Sequence, residues 1–279
     1  MSSGMLRIAA AIVAIPFFVA ATILGDWYFF ILIQLLIILG VWEALKLAQQ
    51  KSASPQMILA AGFSIIWAGL FQFDLSFFAL PVILIFLLAV LLVELFRNHG
   101  SAILNVSTTV FSVLYVALPM TSLLMLRRMP MELHQSDMTG TQLIFVVLGG
   151  IWACDTLAYY GGRLFGRHKF FERVSPKKTW EGAVTGFFGA LLGVWLIRWI
   201  SETSGYTFIL TLPQTFVIGV FAGTLGQMGD LAESLLKRDA QVKDSGTLIP
   251  GHGGILDRFD SLLFVAPATY IYVYYFIFR

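Results

Sequence analysis

A single cysteine, Cys154, rules out an internal disulfide and any zinc cage built on several thiolates. Charge is scarce as well. Asp, Glu, Lys and Arg make up 12% of the 279 residues, against roughly a quarter in soluble domains. The 18 basic and 16 acidic residues nearly cancel, leaving +2, and so small an excess excludes a nucleic-acid binder, which needs a strong positive field. With 58% hydrophobic residues and a mean hydropathy of +0.83, a water-soluble fold is excluded too. Internal repeats, low-complexity tracts and a separable soluble domain are all missing, so 1–279 reads as one membrane domain. Arg7 precedes the first apolar stretch and a second follows almost at once, which reads as a retained first helix and not a signal peptide.

What the chain does have is long apolar runs. Nine windows approach the ~20 residues a spanning helix needs: 8–24, 27–46, 57–73, 75–96, 103–126, 141–162, 183–200, 208–229 and 262–278. The fold class that follows is all-α, a polytopic transmembrane helix bundle of about nine spanning helices. Trp27, Tyr28, Trp42, Trp180, Trp199 and Tyr206 fall near window ends, where amphipathic rings favour the headgroup layer. Most connections are short; 163–182 and 230–261 are long and polar, with a lesser one at 127–140, and such loops are where a membrane protein places chemistry. Of the 18 Lys and Arg, only Arg127, Arg128, Arg198 and Arg279 fall on one side and the other 14 on the opposite side. The positive-inside rule then puts both long loops and the N-terminus in the cytoplasm, with the C-terminus outside.

Windows seven and eight carry glycine stripes, Gly182, Gly186, Gly189 and Gly193, then Gly219, Gly223 and Gly226. Their spacing keeps each set on one helical face, and close helix packing explains both. The second stripe leads into Asp230, Glu233, Ser234 and Lys237, so a packing face becomes an acid, hydroxyl and amine face if the helix runs on past the membrane. Lys243, Asp244, the turn from Pro250 to Gly254, and Asp257, Arg258 and Asp260 follow. Gly251, Gly253 and Gly254 allow positive φ and close approach to a ligand, and a helix beginning near Gly254 or Ile255 offers free N–H groups to an anion. Carboxylates crowded there call for a cation, and hard oxygen ligands without His or Cys partners argue for magnesium. Asp155, inside the sixth window, is a functional candidate by its depth. Glu43 and Glu94, at helix ends, suit snorkelling or an ion pair. Cys154 suits packing. Residues 162–169 lack P-loop spacing.

The stretch from Ser234 to Asp260, SLLKRDAQVKDSGTLIPGHGGILDRFD, resembles the signature of the phosphatidate cytidylyltransferase family, whose members make CDP-diacylglycerol. It aligns Ser234, Lys237, Arg238, Lys243, Asp244, His252, Gly253, Gly254, Asp257, Arg258 and Asp260. The likeness continues upstream through Cys154-Asp155, through Ser175-Pro-Lys-Lys-Thr179 with Glu181-Gly182, and through Gly229-Asp230-Leu-Ala-Glu-Ser234. Residues 1–140 share only their helical, apolar character, which leaves the N-terminal helices unassigned and 141–279 as the catalytic region. The resemblance implies a cytidylyl transfer from CTP to phosphatidate at the bilayer with release of pyrophosphate. It also implies a homodimer, magnesium on Asp230 and Asp257, and a second cation for which potassium is a candidate. Asp230, Asp257, Lys237 and Asp260 are the expected catalytic residues. Ser175, Lys177, Lys178, Thr179, Ser234, Arg238, Lys243, Asp244, His252, Gly253, Gly254, Arg258 and Asp155 are expected to bind substrate. Arg258 could equally partner Asp260, and His252 reads first as a turn residue. Two rivals remain open at this point: a CTP-dependent lipid-alcohol kinase, and an ion or anionic-substrate transporter with broken helices.

Overall fold

A computed structural model describes residues 3–132, 137–248 and 253–278. Among them lie nine α-helices: α1 Ser3–Leu24, α2 Asp26–Gln49, α3 Met57–Gln72, α4 Ala79–Arg97, α5 Ala102–Glu132, α6 Asp137–Phe165, α7 Trp180–Thr203, α8 Leu212–Asp239 and α9 Leu256–Phe276. Every apolar window is a helix. Six segments are long and apolar enough to cross a membrane: α2, α4 with its leading turn (Ser76–Arg97), and α5 to α8. At 16 residues α3 is shorter, and α9 begins with the polar Asp257, Arg258 and Asp260 before its apolar run opens at Leu262. The connection expected at 127–140 is largely helical, since α5 reaches Glu132 and α6 starts at Asp137. Helix α8 runs on to Asp239, which is the extension that makes its polar face continuous with its glycine face. Trp27, Tyr28, Trp42, Trp180, Trp199 and Tyr206 are all exposed, as a headgroup-level ring requires.

The chain divides into two compact units, Met1–Leu124 with Leu236–Arg258, and Met125–Leu235 with Phe259–Arg279. In the first unit Phe29, Ile33, Ile37 and Leu45 of α2 are fully buried, and Phe63 of α3 packs on Phe86 of α4 at 4.3 Å between ring centroids. Glu94, buried near the end of α4, accepts hydrogen bonds from Gln56 (2.8 Å), Asn105 (2.6 Å) and Arg97 (3.2 Å). That satisfies a charge that would otherwise be costly so deep. Apart from Phe86, Val90 and Glu94, α4 has no buried residue. It is an apolar rod turned almost wholly outward.

In the second unit α6 and α7 pack backbone to backbone. A Cβ on Gly186 would stand 2.8 Å from Ala158 Cβ, one on Gly189 2.7 Å from the Ala153 carbonyl, and one on Gly193 would strike the Gly149 carbonyl. The first glycine stripe is therefore a packing face. Gly219 and Gly223 do the same for α8 against Leu191 and Phe187 of α7. Between α6 and α7 the polar loop folds into a small antiparallel hairpin, β1 Lys169–Phe171 and β2 Ser175–Thr179. Nothing in Ser-Pro-Lys-Lys-Thr has the alternation that marks a strand, so the hairpin was not legible. It is pinned from α7: Glu181 accepts the backbone N–H groups of Arg167 (3.1 Å) and His168 (3.3 Å), and Phe170 meets Trp180 edge-on at 4.5 Å.

The packing role of the stripe is checked by comparing two alanines. Gly189→Ala should cost about 1–3 kcal/mol, as overpacking does. Gly62→Ala in α3, where a Cβ meets nothing within 4 Å, should be neutral or slightly stabilising through helix propensity. Thermal unfolding in detergent reads both, and equal midpoints for the two variants would contradict the assignment.

Candidate active site

The two carboxylates expected to share a magnesium belong to different compact units, Asp257 to the first and Asp230 to the second, and each is described in its own surroundings. In the first unit, Asp257 sits in the opening turn of α9. Its Oδ1 is 2.6 Å from Lys237 Nζ, and side-chain exposures of 12% and 8% make this a buried ion pair. Its Oδ2 accepts the N–H of Ser245 (2.9 Å), the Ser245 hydroxyl (3.0 Å) and the N–H of Gly254 (2.8 Å). Burial pushes the Asp257 carboxyl up, but the Lys237 bond, the Gly254 N–H, the Lys237 charge and the Ser245 N–H outweigh it, leaving the group below its usual range. Gly253 has φ +84°, the left-handed backbone a glycine permits, and a Cβ there would lie 2.5 Å from Asp257 Oδ2. Gly254 does not share that backbone. It is required for closeness, because its Cβ would collide with Ser245 and Glu43. Arg238, Lys243, Asp244 and Arg258 are exposed. His252 and Gly251 lie outside the described residues.

Glu43 does not snorkel: it is buried in α2 and reaches this loop. It accepts the N–H groups of Ile255 (3.0 Å) and Leu256 (2.9 Å) and stands 3.0 Å from the Ser245 hydroxyl. An acidic residue in an apolar helix, one turn from a window end, was the available signal. Nothing in the sequence named its partners.

In the second unit, Asp155, Lys177, Lys178, Thr179 and Asp230 line one cavity of about 420 Å³, together with Tyr159, Arg163, Phe170 and Gln227. Tyr159 and Arg163 were not singled out from sequence; one and two helical turns beyond Asp155 on α6, they follow its face. Lys178 Nζ is 2.6 Å from Asp230 Oδ2, and Ser234 Oγ donates to Asp230 Oδ1 at 3.3 Å. Ser175 opens β2 and Lys177 is exposed on it. Thr179 lines the cavity and also caps α7: it is buried, and its hydroxyl accepts the Gly182 N–H at 3.2 Å, leaving its own O–H free to donate.

Asp260, at the start of α9, comes close to α8 because Gly229 has no side chain: a Cβ there would be 2.6 Å from the Asp260 carbonyl. Burial, then the charges of Asp230, Glu233 and Asp155, hold the Asp260 carboxyl well above its usual range. Four acids that repel one another through all-oxygen donors have the chemistry that suits a hard cation. Among the described residues no three acidic, His or Cys groups stand in a ready metal-binding arrangement. The donors fit magnesium in kind, and their geometry is not preassembled.

A model of the cytidylyltransferase family matches residues 5–276. The chain belongs to the cytidylyltransferase family. Among its relatives, a phosphatidate cytidylyltransferase of Synechocystis sp. is 33% identical over 295 residues, covering 96% of this chain and 95% of its own length. One from Bacillus subtilis is 33% identical over 267 residues, with 95% of each chain covered. The chloroplastic phosphatidate cytidylyltransferase 5 of Arabidopsis thaliana is 46% identical over 138 residues, 48% of this chain and 32% of its own. The family match takes in the N-terminal helices that the sequence motifs left unassigned. In this cytidylyltransferase those helices include α2 with Glu43.

The Lys237–Asp257 pair predicts its own double-mutant behaviour. Lys237→Met strips one partner from a buried pair and should lower stability by roughly 3–5 kcal/mol, whereas Lys237→Met/Asp257→Asn should recover part of that loss. Turnover should stay low in both, and Lys237→Arg should not fully restore it, since a guanidinium fork does not replace a compact ammonium. A double variant less stable than Lys237→Met would show that the pair is not the dominant contact.

Proposed function

We propose that this multi-pass membrane protein transfers a cytidylyl group from CTP to phosphatidate, giving CDP-diacylglycerol and pyrophosphate. The observation that carries the reading is the cavity wall on which Lys178 and Asp230 meet at 2.6 Å with Lys177 and Arg163 beside them. One recess thus offers cations for phosphate and carboxylates for a metal. Phosphatidate reaches the protein through the bilayer and CTP through water, and Tyr159 and Phe170 give the cavity an apolar side suited to the lipid.

In the reaction a phosphate oxygen of phosphatidate attacks the α-phosphorus of CTP, and the bond to the β-phosphate oxygen breaks as pyrophosphate leaves. The attacking oxygen is already anionic near neutral pH, so charge neutralisation and alignment matter more than a base. Lys177, Lys178 and Arg163 are placed to bind phosphates. Lys178 can pass from Asp230 to a phosphate oxygen, since an ammonium rotates its donors freely. Asp230, with Asp260 and Glu233 nearby, would hold magnesium. In its own unit, Asp257 would bind a cation only by releasing Lys237, because its other oxygen already accepts three bonds. Magnesium held at Asp230 would supply positive charge to the triphosphate and to the leaving pyrophosphate. A second cation such as potassium, a homodimeric assembly, and Arg238, Lys243, Asp244 and Arg258 as further substrate contacts belong to the same reading.

Purified protein given CTP labelled in turn at the α- and γ-phosphates, with phosphatidate, should return the α-label in lipid and the γ-label in pyrophosphate. A γ-labelled lipid would mean kinase chemistry instead. Asp230→Asn and chelation of magnesium should each reduce product at least a hundredfold, a loss typical of removing a transition-state charge partner. Full turnover in either case would remove the metal from the reading.

Both polar loops are placed in the cytoplasm on the strength of the Lys and Arg asymmetry. Ser245 is buried, so the accessible probes are Glu172 and Thr247, which are exposed. In a Cys154→Ala background, Glu172→Cys and Thr247→Cys should resist an impermeant maleimide in intact cells and label after lysis. Labelling of one but not the other in intact cells would overturn the shared sidedness.

A further inference from the structure

An ionised carboxylate inside an apolar helix is costly unless donors surround it, and Glu43 is 1% exposed in the middle of α2's buried face. All of its donors come from one short stretch about 200 residues away in sequence. Oε1 accepts the Ile255 N–H, and Oε2 accepts the Leu256 N–H and lies within bonding distance of the Ser245 hydroxyl. The Ile255 and Leu256 N–H groups stand at the start of α9, where no helical carbonyl is available to them, and a negative charge there is favourable.

The Ser245 hydroxyl is the link to the ion pair. It lies 3.0 Å from Glu43 Oε2 and 3.0 Å from Asp257 Oδ2. It has one proton, so two carboxylates share a single donor, and a shift of either is felt by the other. The backbone of the same stretch then returns to Asp257 through the N–H groups of Ser245 and Gly254, and Asp257 holds Lys237 at 2.6 Å. Two glycines keep the loop pressed on Glu43. A Cβ on Gly246 would come 2.5 Å from Glu43 Oε1, and one on Gly254 would collide with Oε2. Neither glycine has the positive φ that would explain it by backbone alone.

We propose that Glu43 is a positioning residue: acting through Ser245 and the N–H groups of Ile255 and Leu256, it fixes the direction in which the Asp257 carboxylate and the Lys237 ammonium face. This rests on the reading above only in assigning Lys237 and Asp257 to the reaction; the tether itself is a matter of geometry. Glu43 touches no substrate under this proposal. It ties an N-terminal helix to the signature loop.

The test uses the purified full-length protein and three variants. Glu43→Gln keeps the size of the side chain but sets an amide donor against N–H donors. Gly246→Ala keeps the Glu43 charge and pushes on it with one methyl. Glu43→Ala/Gly246→Ala, compared with Glu43→Ala, asks whether that methyl matters once Glu43 is gone. Glu43→Gln and Gly246→Ala should each lower kcat about a hundredfold, the cost of a misplacement near 1 Å, in protein that still unfolds in a single cooperative transition. Hydrogen exchange at 245–248 and 253–256 should quicken in both while α6 and α7 keep their protection. Adding Gly246→Ala to Glu43→Ala should change nothing further. Near-normal kcat in Glu43→Gln, or unchanged exchange, or a Gly246→Ala loss that persists in full without Glu43, each overturns the proposal. Should Glu43→Gln fail to fold, Gly246→Ala and its exchange pattern decide alone. Asp257→Asn runs alongside. Its full activity would refute the catalytic assignment of Asp257, and exchange would still judge the tether.

Discussion

The carboxylate of Asp257 collects four donors from three stretches of chain, the ammonium of Lys237, the hydroxyl and N–H of Ser245, and the N–H of Gly254. An anion whose side chain is so little exposed is stable only if so surrounded. The constraint runs outward from it. The end of α8 must carry Lys237 to it, the loop must fold back to present Ser245, and Gly253 must take a left-handed turn beneath it. Glu43 then backs the loop from behind. Within the signature 234–260, Lys237, Ser245 and Gly254 donate to that one carboxylate, and Gly253 makes room beside it.

A parallel arrangement stands in the second unit, where Lys178 of β2 meets Asp230 of α8. In each unit a lysine pairs with an acid of the motifs that resemble the family's. Lysine suits that duty because its three donors swing on a flexible stem and its charge is compact.

Much of this was legible from residue order. Apolar length gave nine helices, the polar continuation of the Gly219 stripe gave the extension of α8, and the signature brought Lys237, Asp257 and Gly253 to notice. Packing was the correct account of Gly186, Gly189 and Gly193. Three things could not be read. The hairpin at 169–179 is held by Glu181 and Trp180 of the next helix, not by any pattern of its own. The Thr179 hydroxyl caps α7, a use that looks the same in sequence as a free hydroxyl in a binding loop. Glu43 pairs with a loop about 200 residues away, and its neighbours in sequence are apolar, so nothing local could announce the contact. The hairpin and Glu43 depend on contacts made beyond their own stretch of sequence, whereas the Thr179 cap is a local bond that shares its hydroxyl with any binding role.

Helix α4 sets a length as well as a wall. With its leading turn it runs from Ser76 to Arg97, 22 residues that contain an 18-residue window of mean hydropathy 3.0, and at ~1.5 Å per residue it spans roughly 33 Å. That is close to the ~30 Å hydrocarbon layer of a typical bilayer. Because nearly all of its circumference faces outward, a thinner membrane would leave leucine and phenylalanine in water, and neighbouring helices could not shelter them. Tilt or local thickening of the lipid would have to make up the difference. One outward-facing rod therefore gives the enzyme a preferred membrane thickness, independent of any residue that touches its substrates.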